Sequence, residues 1–377
     1  MILRSEELKS ICTKILPAVD SDGTLASETL QLKVVGNLFS VSVTNREYFV
    51  TATIQLEEEE NFNATVSAGT FLKLISQITT DTITLVVENN CLVVRGNGTY
   101  KLPMIFEEDS LHELKPIDIE NETVSMRLSG EVLLSILQNN SKELQKVKEN
   151  IVRPIQRYYY VDEHGCITFS SGACVNNFEL EKPVKFLLSA KVVKLFKLLG
   201  PGDVLFTLGH DFIGDDTTQT KVRFETPTVT ISAILSCDDS MILGVPVGPI
   251  RSRANSTYNY SVVFNKDELL QAINRFMLFV DKNSRNDFKS CAVLTFQKDG
   301  VTIEGKTVDF DEFVYYTGMD NNINGEYTAT IDLVDIKYCL DSYTGAYATF
   351  NFGDGQAFVL ANGNIKNVIP EIDEDEY

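Results

Sequence analysis

The chain has 377 residues and is 44% hydrophobic, which predicts two or three domains with packed cores and excludes global disorder. Its formal net charge of −20 would repel nucleic acid unless the basic residues are segregated on one surface. The charged N-terminus and the short apolar runs argue against secretion and membrane insertion, so a cytoplasmic protein is expected. The seven cysteines form no C-x-x-C pair, which predicts reduced thiols that serve as small core residues.

Three predicted helices begin with the same pattern, in which acidic residues precede apolar residues at helical spacing. They begin near Glu6, Glu131 and Asp267, and acidic side chains in a first turn are favoured by the helix dipole. The equivalent leucines of the pattern are Leu8, Leu133 and Leu269. Their spacing is too long for a solenoid repeat, so it indicates repeated domains.

A second predicted helix follows in each repeat, beginning near Ser67, Ser189 and Asp332, the last matching more weakly. Between the helices the sequence alternates with period two, as in residues 38–43, 82–87, 91–94 and 301–303, which predicts strands. The expected fold is therefore α+β, with three domains at residues 1–120, 121–254 and 255–377. Each domain would pack two helices on antiparallel sheets. Linkers are predicted near residues 114–121 and 248–256, the second as an exposed connector because it contains Pro249, Ser252 and two arginines.

Lysine and arginine concentrate in the predicted helices and in the loops that follow them. Residues 190–199 contain three lysines and no acidic residue, and a further basic cluster follows the first helix of the second domain. One interpretation is an ordinary solvated helix face. The other is a basic helical surface that contacts DNA phosphates while the acidic remainder repels DNA. The sequence contains no helix-turn-helix, zinc-finger or basic-zipper pattern for reading bases.

The order and spacing of these segments resemble the bacterial DNA polymerase III beta subunit, the DNA sliding clamp, over nearly the whole chain. The segments that carry the resemblance are residues 7–19, 36–38, 65–75, 92–102, 157–159, 163–165, 267–279, 300–304 and 367–370. The resemblance implies a non-catalytic processivity factor without a cofactor or metal. It implies a head-to-tail homodimeric ring that encircles duplex DNA, with helices lining the hole, near the nucleoid and replisome. Replicative polymerase and clamp loader would bind through short peptides.

The resemblance also implies three sets of site residues. The DNA-binding candidates are Lys148, Arg153, Arg157, Tyr158 and Tyr159 by family position, joined by Lys191, Lys194 and Lys197 from the basic helix described above. The candidates for a partner-peptide groove are Tyr160, Gly172, Ala173, Cys174, Val175, Val368, Ile369 and Pro370. The dimer-interface candidates are Tyr100, Leu102, Leu278 and Phe279. For Tyr158–Tyr160 the alternative is a strand start with core tyrosines, and for the four interface residues it is an internal core position.

The groove segments depart from the family pattern. Residues 171–174 read Ser-Gly-Ala-Cys where the family usually has Asp-Gly-His-Arg, residues 240–242 lie near an expected proline, and Glu371-Ile372 replaces a more apolar tail. The acidic extension after Ile372 is either specific to this protein or a partial cover for the groove. These departures suit a divergent or virus-encoded clamp with its own partners. They predict weak binding of a consensus bacterial clamp-binding peptide.

Enzyme functions find little support in the sequence. The three histidines, His112, His164 and His210, form no zinc-hydrolase motif. A calcium-type loop that begins at Asp320 has Ile331 where a glutamate is needed, which indicates a turn. Besides the clamp, two hypotheses stay open: a monomeric clamp-like adaptor, which would lack a dimer interface, and an enzyme on a repeated α+β scaffold, which would need a deep polar pocket.

Overall fold

The computed structural model describes residues 1–20, 23–144, 153–212, 218–235, 239–281, 288–317, 323, 325–353 and 357–372. The chain forms two compact units, one of Met1–Leu134 with Lys191–Ser236 and one of Ser135–Ala190 with Cys237–Tyr377. None of the helices within these described ranges is long and apolar enough to cross a membrane. Lys148 and the residues Asp320, Asn322 and Asn324 of the calcium-type loop lie outside the described residues.

The described helices are α1 Ser5–Ile15, α2 Ala68–Gln77, α3 Gly130–Ser135, α4 Ser141–Leu144, α5 Ala190–Val193, α6 Asp239–Leu243, α7 Val247–Ala254, α8 Lys266–Phe276 and α9 Leu333–Ser342. A π-helical turn, Ile136–Asn140, joins α3 to α4. Three 3-10 turns lie at Leu16–Ala18, Pro154–Arg157 and Lys194–Leu198. The six helices expected from the sequence are therefore confirmed, since each begins within one or two residues of its predicted start.

The strands of the first repeat are β1 Ile2–Arg4, β2 Thr29–Val35, β3 Leu38–Thr44, β4 Tyr48–Gln55, β5 Phe62–Ser67, β6 Thr82–Glu88, β7 Cys91–Arg95, β8 Thr99–Pro103, β9 Phe106–Glu107 and β10 Ser110–Leu111. Those of the second are β11 Glu122–Ser129, β12 Tyr158–Asp162, β13 Gly165–Phe169, β14 Ala173–Asn177, β15 Lys185–Ser189, β16 Asp203–Phe212, β17 Thr218–Glu225 and β18 Val229–Leu235. Those of the third are β19 Tyr260–Asn265, β20 Cys291–Phe296, β21 Gly300–Gly305, β22 Asp311–Tyr315, β23 Tyr327–Asp332, β24 Tyr347–Phe352, β25 Ala357–Asn362 and β26 Ile365–Pro370.

Each repeat contains the same motif twice: a strand, a helical segment and three antiparallel strands. The first repeat runs β1-α1-β2-β3-β4 and then β5-α2-β6-β7-β8, with the small hairpin β9–β10 after it. The second and third repeats begin at β11 and β19 and follow the same order. This threefold arrangement confirms the predicted α+β fold class, while the domain boundaries at 120 and 254 stay a prediction.

The first unit contains a four-stranded sheet, β1-β6-β7-β8, and an eight-stranded sheet, β11-β16-β17-β18-β4-β3-β2-β5. The eight strands are continuous because β18 pairs antiparallel with β4. The α1 helix buries Leu8, Ile11, Cys12 and Ile15. This spacing of three and four residues places one apolar stripe of the helix in the core.

The second unit repeats the arrangement with an eight-stranded sheet, β15-β12-β13-β14-β26-β25-β24-β19, and a four-stranded sheet, β22-β21-β20-β23. Its eight strands are continuous through the pairing of β14 with β26. The core contains a cluster of rings in which Phe352 lies 4.2 Å from Phe296 and 4.9 Å from Phe358, centroid to centroid. The α8 helix begins where the Asn265 side chain accepts hydrogen bonds from two backbone N–H groups.

The segment predicted as an exposed connector at residues 248–256 lies between β18 and β19 and is mostly helix, which the sequence did not predict. Val247–Ala254 forms α7, and Ala254 is buried against the sheet of its unit. Pro249 is tolerated because it lies in the first turn, where its missing N–H has no helical partner. The predicted linker at residues 114–121 is irregular, and its backbone N–H groups at Glu120 and Asn121 donate to the Asp211 carboxylate.

Candidate functional site

The candidate binding site lies on the face of the second unit's eight-stranded sheet that is turned away from the α4 helix. Tyr159 points towards that helix, where its hydroxyl and the Ser141 hydroxyl lie 2.7 Å apart, so Tyr160 points to the opposite face. Four cross-strand neighbours form an apolar row on this face. These residues, the groove floor, are Leu187, Tyr160, Ile167 and Val175.

The equivalent row in the first unit consists of polar residues instead of apolar ones. Its residues are Thr65, Gln31, Ser42 and Thr51, matched strand by strand through the same ladder order. Thr65, Gln31 and Ser42 are at most 7% exposed, so the polar row is covered as well, but an apolar row requires apolar cover. The apolar character of the groove floor therefore marks this face as one that another segment or a ligand must cover.

Part of that cover comes from the segment that contains α6 and α7. Val245 and Ala254 are buried on the groove floor. Around them lies a set of half-buried apolar side chains, the groove rim, which consists of Ile155, Tyr158, Phe169, Met241, Ile242, Val247, Ile250 and Val368. Nearby in sequence, Leu243 is 84% exposed. A half-buried apolar rim around a buried floor is the surface on which an apolar peptide side chain gains most by binding.

An ion pair joins the covering helix to the sheet beside the groove floor. Arg251 of α7 donates from Nη1 to Oδ2 of Asp162 at 2.8 Å and from Nη2 to Oδ1 at 2.5 Å. Burial raises the pKa of the Asp162 carboxyl, but Arg251 and the backbone N–H of His164 outweigh burial and leave that pKa lowered. Burial, followed by the Asp162 charge, raises the pKa of Tyr160 to about 12. The two-point geometry fixes both the position and the orientation of α7.

Side chains along a strand alternate between the two faces of the sheet, so the eight predicted groove residues do not all lie on the groove face. Tyr160 and Val175 are on the groove floor and Val368 is on the rim. Cys174 and Ile369 belong to the core on the opposite face of the sheet, so their prediction as groove-lining residues is not supported. The remaining three are Gly172, Ala173 and Pro370.

Those remaining three residues lie where β14 meets β26. Ala173 pairs with Val368, and Pro370 ends β26 opposite Ala357. A Cβ atom on Gly172 would lie 2.3 Å from the Val368 carbonyl oxygen, so glycine permits this close approach. These three residues help to form the junction between β14 and β26, next to the groove rim.

Sequence reasoning missed most of the rim. The missed residues are Ile155, Phe169, Met241, Ile242, Val247 and Ile250, together with Leu187 and Ile167 of the floor. The period-two spacing of Tyr158 with Tyr160 and of Ile167 with Phe169 was a usable signal. The apolar residues between 241 and 250 were another, because an exposed connector would not contain so many.

The DNA-binding candidates of the second unit divide into exposed and buried residues. Arg153 and Arg157 are exposed at the two ends of the 3-10 turn that precedes β12. Tyr158 belongs to the groove rim, and Tyr159 is only 2% exposed. The alternative of a strand start with core tyrosines therefore describes Tyr159, and its prediction as a DNA contact is not supported.

The three lysines of the first unit form one exposed ridge. Lys191, Lys194 and Lys197 alternate with the buried residues Val192 and Leu195, and all three lysines are exposed. A spacing of three residues on a 3-10 turn stacks the side chains on one face. Lys191 makes an ion pair with Asp20 at 2.8 Å, which leaves it less available to phosphate than its two neighbours.

The predicted interface residues lie at sheet edges and on the segment after α8. Tyr100, 37% exposed, and Leu102, 9% exposed, are on β8 at one edge of a four-stranded sheet. Leu278 is 82% exposed, while Phe279 is 57% exposed and packs edge-on against Phe310 with centroids 5.7 Å apart. Of the four, only Leu102 has the burial of an internal core residue.

Within the described ranges, no group of three or more His, Cys, Asp or Glu side chains is placed to bind a metal ion. No family model matches the sequence, and no curated protein matches it. Solved structures do resemble it. The DNA polymerase III subunit beta of Pseudomonas aeruginosa bound to griselimycin is 14% identical, with TM-score 0.80 over 99% of both chains. The Bacillus subtilis sliding clamp is 16% identical, with TM-score 0.77 over 99% of this chain and 98% of that one. A putative beta subunit from Eubacterium rectale is 13% identical, with TM-score 0.77 over 99% of both.

Proposed function

We propose that this chain, whose fold is that of the DNA polymerase III beta-subunit sliding clamps, acts as a DNA sliding clamp. Two copies would form a closed ring around duplex DNA. The ring would hold a replicative polymerase and other replication proteins at the replisome through the groove on the second unit. The protein would perform no chemistry, because topological retention on DNA needs none.

The observation that carries this proposal concerns the strands that end each half-repeat, because within the ranges that the structure describes two of them lack the partner strand that the other four have. Inside the chain, the last strand of one half-repeat pairs with the last strand of another, as β4 with β18 and β14 with β26. The two remaining strands of this kind are β8 and β22, and each has one neighbour in the sheets of the described residues. Exposed edges of this sort need a partner.

A second copy supplies that partner in a head-to-tail arrangement. The β8 edge of one copy would pair with the β22 edge of the other, and the reverse pair would close the ring. Such an interface joins different surfaces and closes only if the rotation between subunits allows it. Aromatic groups near the two edges favour this, because Tyr100 lies on β8 and Phe279, which packs against Phe310 just before β22, is also partly exposed.

The groove supports the second half of the proposal, which is the binding of partner proteins. Its floor and rim together form an apolar surface between a sheet and a helix, and an extended or turn-like peptide would bury apolar anchors there. Arg251 and Asp162 hold the covering helix in place, so the site is formed before a ligand arrives.

The basic residues support weak, sequence-independent contact with DNA. Arg153, Arg157, Lys194 and Lys197 are exposed on the helical segments, against a formal net charge of −20 for the whole chain. A ring that retains DNA by encircling it needs only weak phosphate contacts, so a net negative protein is compatible with this function.

The first test is the native mass by size exclusion with light scattering over a dilution series. The subunit mass is 42.1 kDa, so a closed dimer has twice that mass. A dimer that persists on dilution supports the ring. A monomer at every concentration overturns the ring and favours the adaptor hypothesis.

The second test asks whether the protein encircles DNA. Subunits are assembled in the presence of nicked circular DNA, chemically cross-linked, and separated from unbound protein in high salt. We expect retention on the circle and release after a restriction enzyme linearises it, because a ring slides off an end. Equal retention on circular and linear DNA would contradict encirclement.

The third test addresses the groove and uses griselimycin, the compound bound by the Pseudomonas aeruginosa clamp, as the probe. We expect griselimycin to bind, and Val247→Asp to weaken its binding by at least about tenfold because the rim becomes charged. The matched control is Val35→Asp, since Val35 is 67% exposed on β2 of the other unit. Equal loss in both variants would place the binding elsewhere.

A further inference from the structure

The first helices of the first and third repeats differ in the partners of their basic side chains. Both α1 and α8 have eleven residues, and Leu8 is the counterpart of Leu269. On this alignment Lys14 corresponds to Arg275, and both side chains are exposed. Arg275 donates from Nε to the Glu312 carboxylate at 2.9 Å and from Nη2 to its other oxygen. Lys14 forms no ion pair with any residue that the structure describes, so its charge is available to a ligand.

The second helices of the same two repeats, α2 and α9, show a similar contrast. Both have ten residues, and Lys73 of α2 is exposed and has no ion-pair partner in the described part of the chain. The one basic residue of α9, Lys337, lies 3.8 Å from the Asp341 carboxylate and donates to the Asn274 side chain at 2.5 Å. The α9 helix also contains Asp335, whereas α2 contains no acidic residue.

The remaining basic residue of the third-repeat helices is paired as well. Lys266 lies 3.7 Å from the Asp267 carboxylate and donates to the backbone carbonyl of Tyr343 at 3.1 Å. The basic residues of α8 and α9 are thus all paired, and these helices also contain the acidic residues Asp267, Glu268, Asp335 and Asp341. The helical surface of the third repeat therefore presents net negative charge.

The first turns of α1 and α8 do not account for this difference, because they are alike. Glu6 and Glu7 of α1 are the counterparts of Asp267 and Glu268 of α8. They lie about 10 Å along the helix axis from Lys14. The contrast between the repeats therefore comes from the later turns of the first helices and from the second helices.

The unpaired lysines of the first unit lie on helical segments that adjoin one another. A cleft between α1 and α2 is lined by Lys9 on one helix and by Leu72 and Ser76 on the other. The ridge that contains Lys191 is joined to the chain after α1 by the ion pair with Asp20. These segments form the lysine surface, whose members have no ion pair within the described ranges and are Lys9, Lys14, Lys73, Lys194 and Lys197.

We infer that the lysine surface of the first unit contacts the DNA phosphates and that the helices of the third repeat do not. The inference rests on the proposed ring and names the part of each subunit that DNA touches. In a ring of two copies, the attractive contacts would be separated by acidic stretches instead of being spread evenly around the hole.

The physical reason is competition between a carboxylate of the chain and a phosphate of the duplex. Arg275 would have to give up two charge-assisted hydrogen bonds to Glu312 before it could bind a phosphate. A lysine without such a partner gives up only water and gains from the release of counterions by DNA. Unpaired acidic side chains such as Glu268 repel phosphates over a distance of about 8 Å at physiological salt.

Matched charge additions on the two first helices test the inference. Ser10→Asp with Thr13→Asp changes α1, and Gln271→Asp with Asn274→Asp changes the counterpart positions of α8, all four of which are exposed. The affinity of each dimer for a short fluorescent duplex is measured by anisotropy at low salt, after its native mass has been checked. We expect the α1 pair to weaken binding at least about fivefold and the α8 pair less than about twofold.

A gain of binding provides the second measurement. Asp335→Thr with Asp341→Ser gives α9 the residues that α2 has at Thr70 and Ser76, and it also releases Lys337 from its partner. We expect the affinity for the same duplex to rise at least about threefold, because repulsion is removed and one cation is freed. An unchanged or lower affinity would show that these acidic residues do not keep DNA from the third repeat.

The outcomes separate this inference from the proposed function. A loss confined to the α1 pair supports the inference. An equal loss with both pairs, or no loss with the α1 pair, overturns it and leaves the clamp intact, provided that the unsubstituted dimer is retained on circular DNA. An unsubstituted chain that neither dimerises nor stays on circular DNA overturns both.

Discussion

Arg251 of α7 donates two hydrogen bonds to the carboxylate of Asp162, at 2.8 and 2.5 Å, and so joins the helix that covers the groove to the strand that forms its floor. Asp162 is 4% exposed and the Arg251 side chain 20%. An ion pair at this depth is weak as a source of stability but strongly destabilising when one partner is lost, because the remaining charge is left buried.

Breaking the pair on one side should therefore destabilise the protein. We expect Arg251→Ala to cost about 2–4 kcal/mol, while Arg251→Met combined with Asp162→Leu should recover much of that loss. Urea unfolding of the single and double variants measures the coupling. Costs below about 0.5 kcal/mol for Arg251→Ala would show that the pair does not hold α7.

The same pair predicts a dependence of stability on pH. The pKa of Asp162 is lowered in the folded protein from its ordinary value of 3.8, so its contribution is fully present above that value. The contribution is lost as the pH falls through the lowered pKa. The difference in stability between the wild type and Asp162→Asn should be constant near neutral pH and shrink below about pH 4. A difference that grows on acidification would contradict the lowered pKa.

The exposed basic residues predict the response of DNA binding to salt. Lys194→Ala with Lys197→Ala should lower the slope of log affinity against log salt by up to about 2, because each phosphate contact contributes about 0.9. Arg46→Ala with Lys298→Ala removes the same charge from exposed positions outside the helices and is the control. Equal slopes in both double variants would mean that only net charge matters.

The two arginines near β12 predict an effect on loading. Arg153→Ala with Arg157→Ala should slow loading onto circular DNA and leave the dimer intact, because both side chains are exposed at the ends of a short turn. Loading kinetics and native mass are measured on the same preparation. Normal loading would remove these residues from the DNA surface.

The groove predicts a partner preference of its own. A consensus bacterial clamp-binding peptide should bind this protein at least about tenfold more weakly than it binds the Bacillus subtilis clamp, because residues 171–174, 240–242 and 371–372 depart from the family pattern at the groove. Fluorescence anisotropy with one labelled peptide compares the two proteins directly. Equal affinity would show that the departures in sequence do not alter recognition.

The aromatic core of the second unit predicts a large cost for truncation. Phe352→Ala should destabilise by about 3–5 kcal/mol, because Phe352 is fully buried among four other rings. Tyr347→Ala on the same strand is the control, since Tyr347 is 54% exposed and should change stability by less than about 0.5 kcal/mol.

The sequence by itself determined the six main helices, many of the strands and the threefold repeat. These depend on local patterns such as the spacing of Leu8, Ile11 and Ile15, which a helix must place on one face whatever surrounds it. It also indicated the basic ridge, because Lys191, Lys194 and Lys197 lie three residues apart.

Only the tertiary structure decided which residues line the groove and which meet across strands. Tyr159 and Tyr160 are identical in type, and the placement of α4 on one side of β12 and α7 on the other gives them opposite environments. Residues 248–256 have the composition of a linker, and only the tertiary structure shows that Arg251 pairs with Asp162, which is 89 residues away. Such contacts depend on the register between distant strands and helices, which no local pattern specifies, because burial is a property of the assembled sheet.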